Sequence, residues 1–253
     1  MSSPTDSPLQ SLTDRPADAL LRWGGIGPAR KAEAETLVDH LFRVGAIDLR
    51  PHDFFVFPKF TTPAYCDLRL AQSDVAARAY IADRLADAVR ARFLNGDAVH
   101  KDDASHQEPL TIVGVATGGI AYATSVADRL GLPLAYVRSA PKDHGQGRQV
   151  EGNLPAGSRC VVIDDVIGSG SAARAAVEAL TQHGAVVMGM CAVFSYDFDT
   201  LVANVAAAGV PFVRLVDFGL AVERARVNGI IDEAGAAAIE AWYAPRATWK
   251  SSG

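Results

Sequence analysis

Between residues 111 and 216 the sequence alternates between short runs that are apolar at nearly every position and stretches whose apolar residues recur at helical spacing. Residues 111–116, 134–137, 161–166, 186–194 and 212–216 read as strands. Residues 120–130 and 171–183 read as helices, stopped by Gly131 and Gly184, and a third helix runs to about Ala208. Two more helices close the chain. A strand that is apolar throughout has no face to offer to water, so the pattern predicts an α/β fold: a central parallel sheet with helices on both faces. Ligands of such sheets bind beyond the carboxyl ends of the strands, and the chemistry is expected at that edge.

Upstream the pattern is less regular. Residues 1 to about 16 are rich in Ser, Pro and Asp, the composition of a disordered segment, and residues 23–28 read as a loop. Residues 1–30 are therefore read as a disordered or loop-like extension and residues 31–253 as a single domain. Leu37, Val38, Leu41 and Val44 fit one face of a helix over 32–44, closed by Gly45. Residues 54–65 are aromatic and extended, and Pro58 and Pro63 confine them to edge strands. Ser73 is expected to cap a helix carrying Ile81, Leu85, Val89 and Phe93. Residues 95–109 and 139–157 read as polar loops, with His100 and His106 solvated in the first.

Composition narrows the function classes. At 253 residues and 49% hydrophobic content the chain can bury a substantial core. A net charge of −5 argues against a general nucleic-acid binder and against an anionic membrane as partner. The apolar runs all fall short of the ~18 residues of a membrane span, and the opening M-S-S-P-T-D-S-P lacks the basic and apolar regions of a secretion signal. Cys66, Cys160 and Cys191 are an odd number without C-x-x-C spacing, the thiol usage of a reducing compartment. The cytoplasm is the expected location.

Three loops fall at the ligand edge of the sheet. The first carries Thr117, Gly118 and Gly119, where missing Cβ atoms allow backbone N–H groups to approach an anion; a tight strand-to-helix turn would use the same glycines. The second runs from Arg138 through Lys142, His144 and Arg148, long, glycine-containing and cationic, the make-up of a lid. The third begins with Asp164 and Asp165 at a strand end and continues through Val166, Ile167, Gly168, Ser169, Gly170, Ser171 and Ala172 into a helix. Small residues at a helix N-terminus attract phosphate, and the acids attract hydroxyls or a metal. A sugar phosphate offers both partners. The same segment fits the dinucleotide pattern G-x-G-x-x-A, with Asp197 as the ribose acid, but the two adjacent carboxylates would then face a pyrophosphate with nothing to offset them. A nucleotide P-loop is excluded, because no Gly-Lys-Ser/Thr follows.

The motif D-D-V-I-x-x-G-S at 164–171, with Y-V-R-x-x-x-K-x-H-G-x-G-x-x-x-E-G at 136–152, resembles the orotate phosphoribosyltransferases. Residues 63–69 are similar to the family's S-P-x-Y-x-D-x-R, and Val193-Phe194-Ser195-Tyr196 to the I-F-T-Y of one branch. The resemblance spans about residues 35–250. It implies the type I phosphoribosyltransferase fold with a small N-terminal hood, and synthesis of orotidine 5′-monophosphate from orotate and phosphoribosyl pyrophosphate on the de novo route to UMP. By position it implies 5′-phosphate on 168–172, ribose hydroxyls on Asp164 and Asp165, and pyrophosphate on Thr117, Gly118 and Gly119 with Arg138, Lys142 and His144. It implies Mg²⁺ carried on substrate oxygens and a homodimer in which the lid closes over the neighbouring subunit's site.

Departures from the family pattern cluster around the base: Gly168 stands for a Thr or Ser, Pro58-Lys59 for Ser-Gly, Phe57 for a common Lys, and the arginine some members place after this strand has no counterpart around Tyr196–Asp199. Ser139 replaces a lysine after the lid arginine. Gly168, Tyr65 and Lys59 are the expected base-contacting residues, with Lys59 assigned to the orotate carboxylate. Cys66, Trp242, Tyr243 and Trp249 are expected to serve packing. A phosphoribosyltransferase for another base and a non-catalytic sensor of phosphoribosyl pyrophosphate remain the alternatives.

Overall fold

The computed structural model describes residues 28–57, 60–95, 109–139 and 149–244. The first described element is helix α1 (Pro28–Arg43), so the expected boundary at residue 30 falls inside a helix rather than before one. Proline suits a first helical turn, where its absent N–H has no intrahelical partner to lose. Leu37, Val38 and Leu41 are buried, as their spacing requires. Four short strands follow: β1 (Ile47–Leu49), β2 (Phe55–Phe57), β3 (Phe60–Thr62) and β4 (Ala64–Cys66). β1 pairs antiparallel with β4 and β2 antiparallel with β3, giving two small sheets apart from the main one; these are the hood.

Helix α2 (Val75–Val89) is capped by Asp74 and not by Ser73. The Asp74 carboxylate accepts from the Ala77 N–H at 2.7 Å and is gripped by Arg43 at 2.9 Å. Ser73 instead ends a tight turn over Leu70–Ser73, which takes it out of capping position. A wider helical turn, Arg90–Leu94, continues α2 and keeps Phe93 in register with buried Ile81, Leu85 and Val89.

The remaining described elements are β5 (Thr111–Val115), α3 (Gly118–Leu130), β6 (Leu134–Val137), β7 (Val150–Glu151), β8 (Arg159–Ile167), α4 (Ser171–Gln182), β9 (Val186–Ser195), α5 (Asp199–Ala208), β10 (Phe212–Asp217), α6 (Phe218–Val227) and α7 (Glu233–Tyr243). The main sheet has the order β10-β9-β8-β5-β6-β7, and all pairs are parallel except the last. β7 corrects the reading of 139–157 as loop throughout: Val150 pairs with Val137 and Glu151 with Tyr136. Two residues are too few to carry a periodic signal.

Alternate strand residues feed two apolar layers. Ile112, Val161, Ile163, Cys191, Val193 and Val213 face the layer that holds α1, α2, α3, α6 and α7. Val113, Cys160, Val162, Met190, Ala192 and Phe212 face α4 and α5. Each Val, Ile, Met or Phe among them contributes about 1.5–3 kcal/mol on burial, and a one-residue slip would turn all of these side chains to the wrong layer. The core therefore fixes the register of β8 between β5 and β9, and with it the height at which Asp164 and Asp165 emerge. Among the described residues no helix is long and apolar enough to cross a membrane.

Candidate active site

β8 lies next to the middle of the sheet and delivers its two acids near its carboxyl end. Asp164 sits opposite Ala192 of β9 and is only 8% exposed. Its Oδ1 accepts from the Asp165 N–H at 2.9 Å. Burial, reinforced by the adjacent Asp165 charge, pushes the Asp164 carboxyl well above the usual carboxylate range. Asp165 is half-buried and turned to the opposite face, against the start of α3.

The loop from β5 into α3 is packed directly on this pair. A Cβ on Gly118 would fall on the Asp165 carboxylate, and one on Gly119 would come within 2.5 Å of the Ile163 carbonyl oxygen and 3.3 Å of Asp164 Oδ1. Both glycines are thus required by close approach to the acids, a tighter constraint than a turn alone imposes. Thr117 stands exposed at the tip of the same loop. The structure packs Gly118 and Gly119 on the acid pair, with Thr117 next to them in the same loop.

Beyond Ile167 the chain turns through Gly168, Ser169 and Gly170 into α4. Gly170 is the N-cap with φ 78°, and a Cβ there would meet Leu201 at 2.8 Å. Helix α5 supports the loop from behind: Asn204 donates to the Ser169 carbonyl at 2.9 Å, and Arg174 reaches Asn204 Oδ1 at 3.3 Å. The hydroxyls of Ser169 and Ser171 lie 3.0 Å apart at the helix end, joined by Ala172 as its next exposed residue. Short polar side chains and a helix N-terminus make this turn suited to a phosphate.

Arg138 directly follows β6, two strands from β8 on the same sheet. Its N–H donates to the Gln149 carbonyl at 2.9 Å, and Gln149 Nε2 donates back to the Arg138 carbonyl at 2.7 Å. Its guanidinium lies 3.7 Å from Glu151. These contacts and the β6–β7 pairing close the base of the cationic loop. Lys142, His144 and Lys59 lie outside the described residues.

On the hood, Tyr65 is 37% exposed and its ring lies 5.8 Å from that of Phe55 and 5.7 Å from that of Phe57. Asp67 holds Arg69 with both carboxylate oxygens, at 2.6 and 2.7 Å, and also accepts the Arg69 N–H, which explains the D-x-R spacing as a local clamp. Cys66 is buried; burial pushes its thiol up, and the Asp165 charge adds to the effect. The Tyr122 hydroxyl, which donates to the Leu68 carbonyl at 2.7 Å, is likewise held protonated by burial and by Asp165. Strand β4 and helix α3 therefore lie within the field of Asp165. Tyr196, just after β9, has its hydroxyl pushed up chiefly by burial, with Cys66 and Tyr65 of β4 among the groups that act on it. Sequence reasoning missed Tyr122, Tyr196 as a contact, and Asn204, because each meets the site through pairings distant in the chain.

The expected packing residues behave as such where described: Tyr243 and Trp242 lie among Phe198 and Phe218, and Cys66, Cys160 and Cys191 are buried free thiols. Residues 89–214 match the family described as phosphoribosyl transferase domain. Over 220 residues, 87% of this chain and 96% of the relative, the sequence is 36% identical to the orotate phosphoribosyltransferase of Cutibacterium acnes. It is 34% identical to that of Levilactobacillus brevis, over 86% of this chain and 98% of the relative. The fold is similar to the crystal structure of orotate phosphoribosyltransferase from Aeropyrum pernix, with a TM-score of 0.60 and 27% identity over 78% of this chain and 99% of that one.

Proposed function

Because this chain belongs to the orotate phosphoribosyltransferase family, we propose that it transfers the phosphoribosyl group of phosphoribosyl pyrophosphate to orotate, releasing pyrophosphate and forming orotidine 5′-monophosphate. The identity to curated members across 87% of the chain carries this reading. The placement of the acid pair, the 117–119 loop and the 168–172 turn at one sheet edge supports it. The activity belongs to pyrimidine biosynthesis.

The division of labour follows from charge. As the bond from C1′ to pyrophosphate breaks, positive charge grows on the ribose ring and negative charge on the leaving group. Asp165 and Asp164 stabilise the ring and hold its hydroxyls. The Ser169–Ala172 turn seats the 5′-phosphate on the start of α4. Backbone groups of Thr117, Gly118 and Gly119, with Arg138, take the pyrophosphate, and Lys142 and His144 close over it. Preorganised charges of this kind are typically worth ~3–4 kcal/mol of barrier each. Closure also excludes the water that would hydrolyse the activated sugar. The base lies between Tyr65 of the hood and the turn that follows β9.

The donor set fits Mg²⁺ in a partly protein-bound form. Asp164 and Asp165 offer hard carboxylate oxygens, and among the described residues no cluster of three or more His, Cys, Asp or Glu forms a cage. These two carboxylates would be the protein's share of the coordination, with substrate oxygens supplying the rest. Bound there, Mg²⁺ would neutralise charge on the departing pyrophosphate. A homodimer with the lid serving the neighbouring subunit, and a cytoplasmic location, complete the proposal.

The test is the loss of orotate absorbance with phosphoribosyl pyrophosphate and Mg²⁺, run beside uracil, hypoxanthine and adenine. Turnover with orotate alone is expected. Turnover with another base instead would overturn the substrate, and binding without turnover would overturn catalysis.

A further inference from the structure

Two neighbouring residues at the end of α7 reach opposite walls of the base side of the site. Trp242 donates its Nε1–H to the Thr61 carbonyl in β3 at 3.2 Å. Tyr243 donates its hydroxyl to the carbonyls of both Tyr196 and Asp197, 2.9 Å from each. Packing alone does not account for this. The Tyr243 ring could fill its place against Phe218, 5.4 Å away between centroids, without aiming its hydroxyl at two carbonyls of one turn.

That turn continues β9 directly beside the phosphate loop, since the Tyr196 N–H donates to the Ile167 carbonyl at 3.1 Å. Asp197 has φ 51°, a left-handed conformation that a residue with a side chain keeps only where its surroundings hold it. The Ser195 hydroxyl accepts the Asp197 N–H at 3.1 Å, and Arg214 grips the Asp197 carboxylate at 2.7 Å. Tyr243 supplies the hold on the carbonyl side. The turn lies near the hood, since Cys66 and Tyr65 of β4 act on the Tyr196 hydroxyl.

We infer that Tyr243 and Trp242 are positioning residues for the base: one rigid helix end pins both the turn at 196–198 and the β2–β3 hairpin, and so sets the spacing of the walls that hold orotate. The inference rests on the orotate phosphoribosyltransferase reading. The loops assigned to the sugar phosphate are braced by other elements, the 117–119 loop by β8 and the 168–172 turn by α5. Loss of the α7 contacts should therefore weaken orotate selectively.

Steady-state kinetics on Tyr243→Phe and Trp242→Phe, with each substrate varied in turn, tests this. Phenylalanine keeps a ring in place and removes only the donor at Tyr243. The KM for orotate should rise about tenfold in Tyr243→Phe, while the KM for phosphoribosyl pyrophosphate stays within about twofold and Tm stays near wild type. Trp242→Phe should move the same constant in the same direction, and it carries the test if Tyr243→Phe fails to fold. An unchanged KM for orotate overturns the inference, as does a parallel rise of both KM values with a fall in Tm, which would mark a general fold contact. Wild-type turnover of orotate with unaltered variants overturns the inference alone; a wild-type chain inactive on orotate overturns the substrate reading and the inference together.

Discussion

Asp164 is where stability and activity pull apart. Its carboxyl is buried and beside a second acid, so the folded chain holds the proton more tightly than the unfolded chain does. Below the ordinary carboxylate value of 3.8 both states carry the proton and the site costs nothing. As pH rises from there, the unfolded chain ionises first, and the ligand-free fold loses stability until the pH passes the raised folded value. Asp164→Asn removes the ionisable group while keeping its shape. It should raise Tm at neutral pH, and the gain should vanish as pH falls toward 3.8, while turnover drops about a hundredfold. Thermal unfolding across pH, beside steady-state rates, checks both halves; a gain that persists in acid would contradict the burial argument. The glycines at 118 and 119 answer to the same pair, since a carboxylate and a strand carbonyl fill the space where their side chains would be.

At the scale of elements, the turn at 168–172, proposed to seat the 5′-phosphate, depends on a helix that contributes nothing to it in sequence. Asn204 of α5 reaches back to the Ser169 carbonyl, and Leu201 packs on Gly170, so the turn is shaped from behind before any ligand arrives. Asn204→Ala deletes a hydrogen bond of the kind worth about 1 kcal/mol. The KM for phosphoribosyl pyrophosphate should rise about fivefold in that variant with the KM for orotate unchanged. Initial rates with each substrate varied would show it, and equal effects on both would deny α5 its separate role. This profile is the mirror image of that expected for Tyr243→Phe, because α5 and α7 brace different halves of the site. The sequence reads as a helix to about Ala208 here, but nothing local marks Asn204 as a brace.

For the whole molecule, the proposed dimer makes a prediction that no single chain can satisfy. If the lid serves the neighbouring site, a Lys142→Ala chain and an Asp164→Asn chain each lack one half of every site in their own homodimer. Mixed and re-equilibrated, they should form heterodimers with one intact site, and activity should reappear that neither variant shows alone. Titrating one variant into the other by rate measurement tests this; no recovery in a mixture shown to exchange subunits would place the lid on its own chain. What the sequence determined by itself is what short-range physics encodes. Continuous apolar runs announced the covered sheet, and Gly131 and Gly184 marked helix ends. Among the described residues it missed local detail: the cap at Asp74, the helix start at Pro28, strand β1 and the two-residue β7. The strand order β10-β9-β8-β5-β6-β7 was left to the tertiary structure, as were the carboxylate lying where a Gly118 side chain would be and the reach of Tyr196, Asn204 and Tyr243 to the site. Periodicity states which way a residue faces, whereas the partner it meets depends on register and on contacts whose loop-closure cost is overcome only when the whole core assembles.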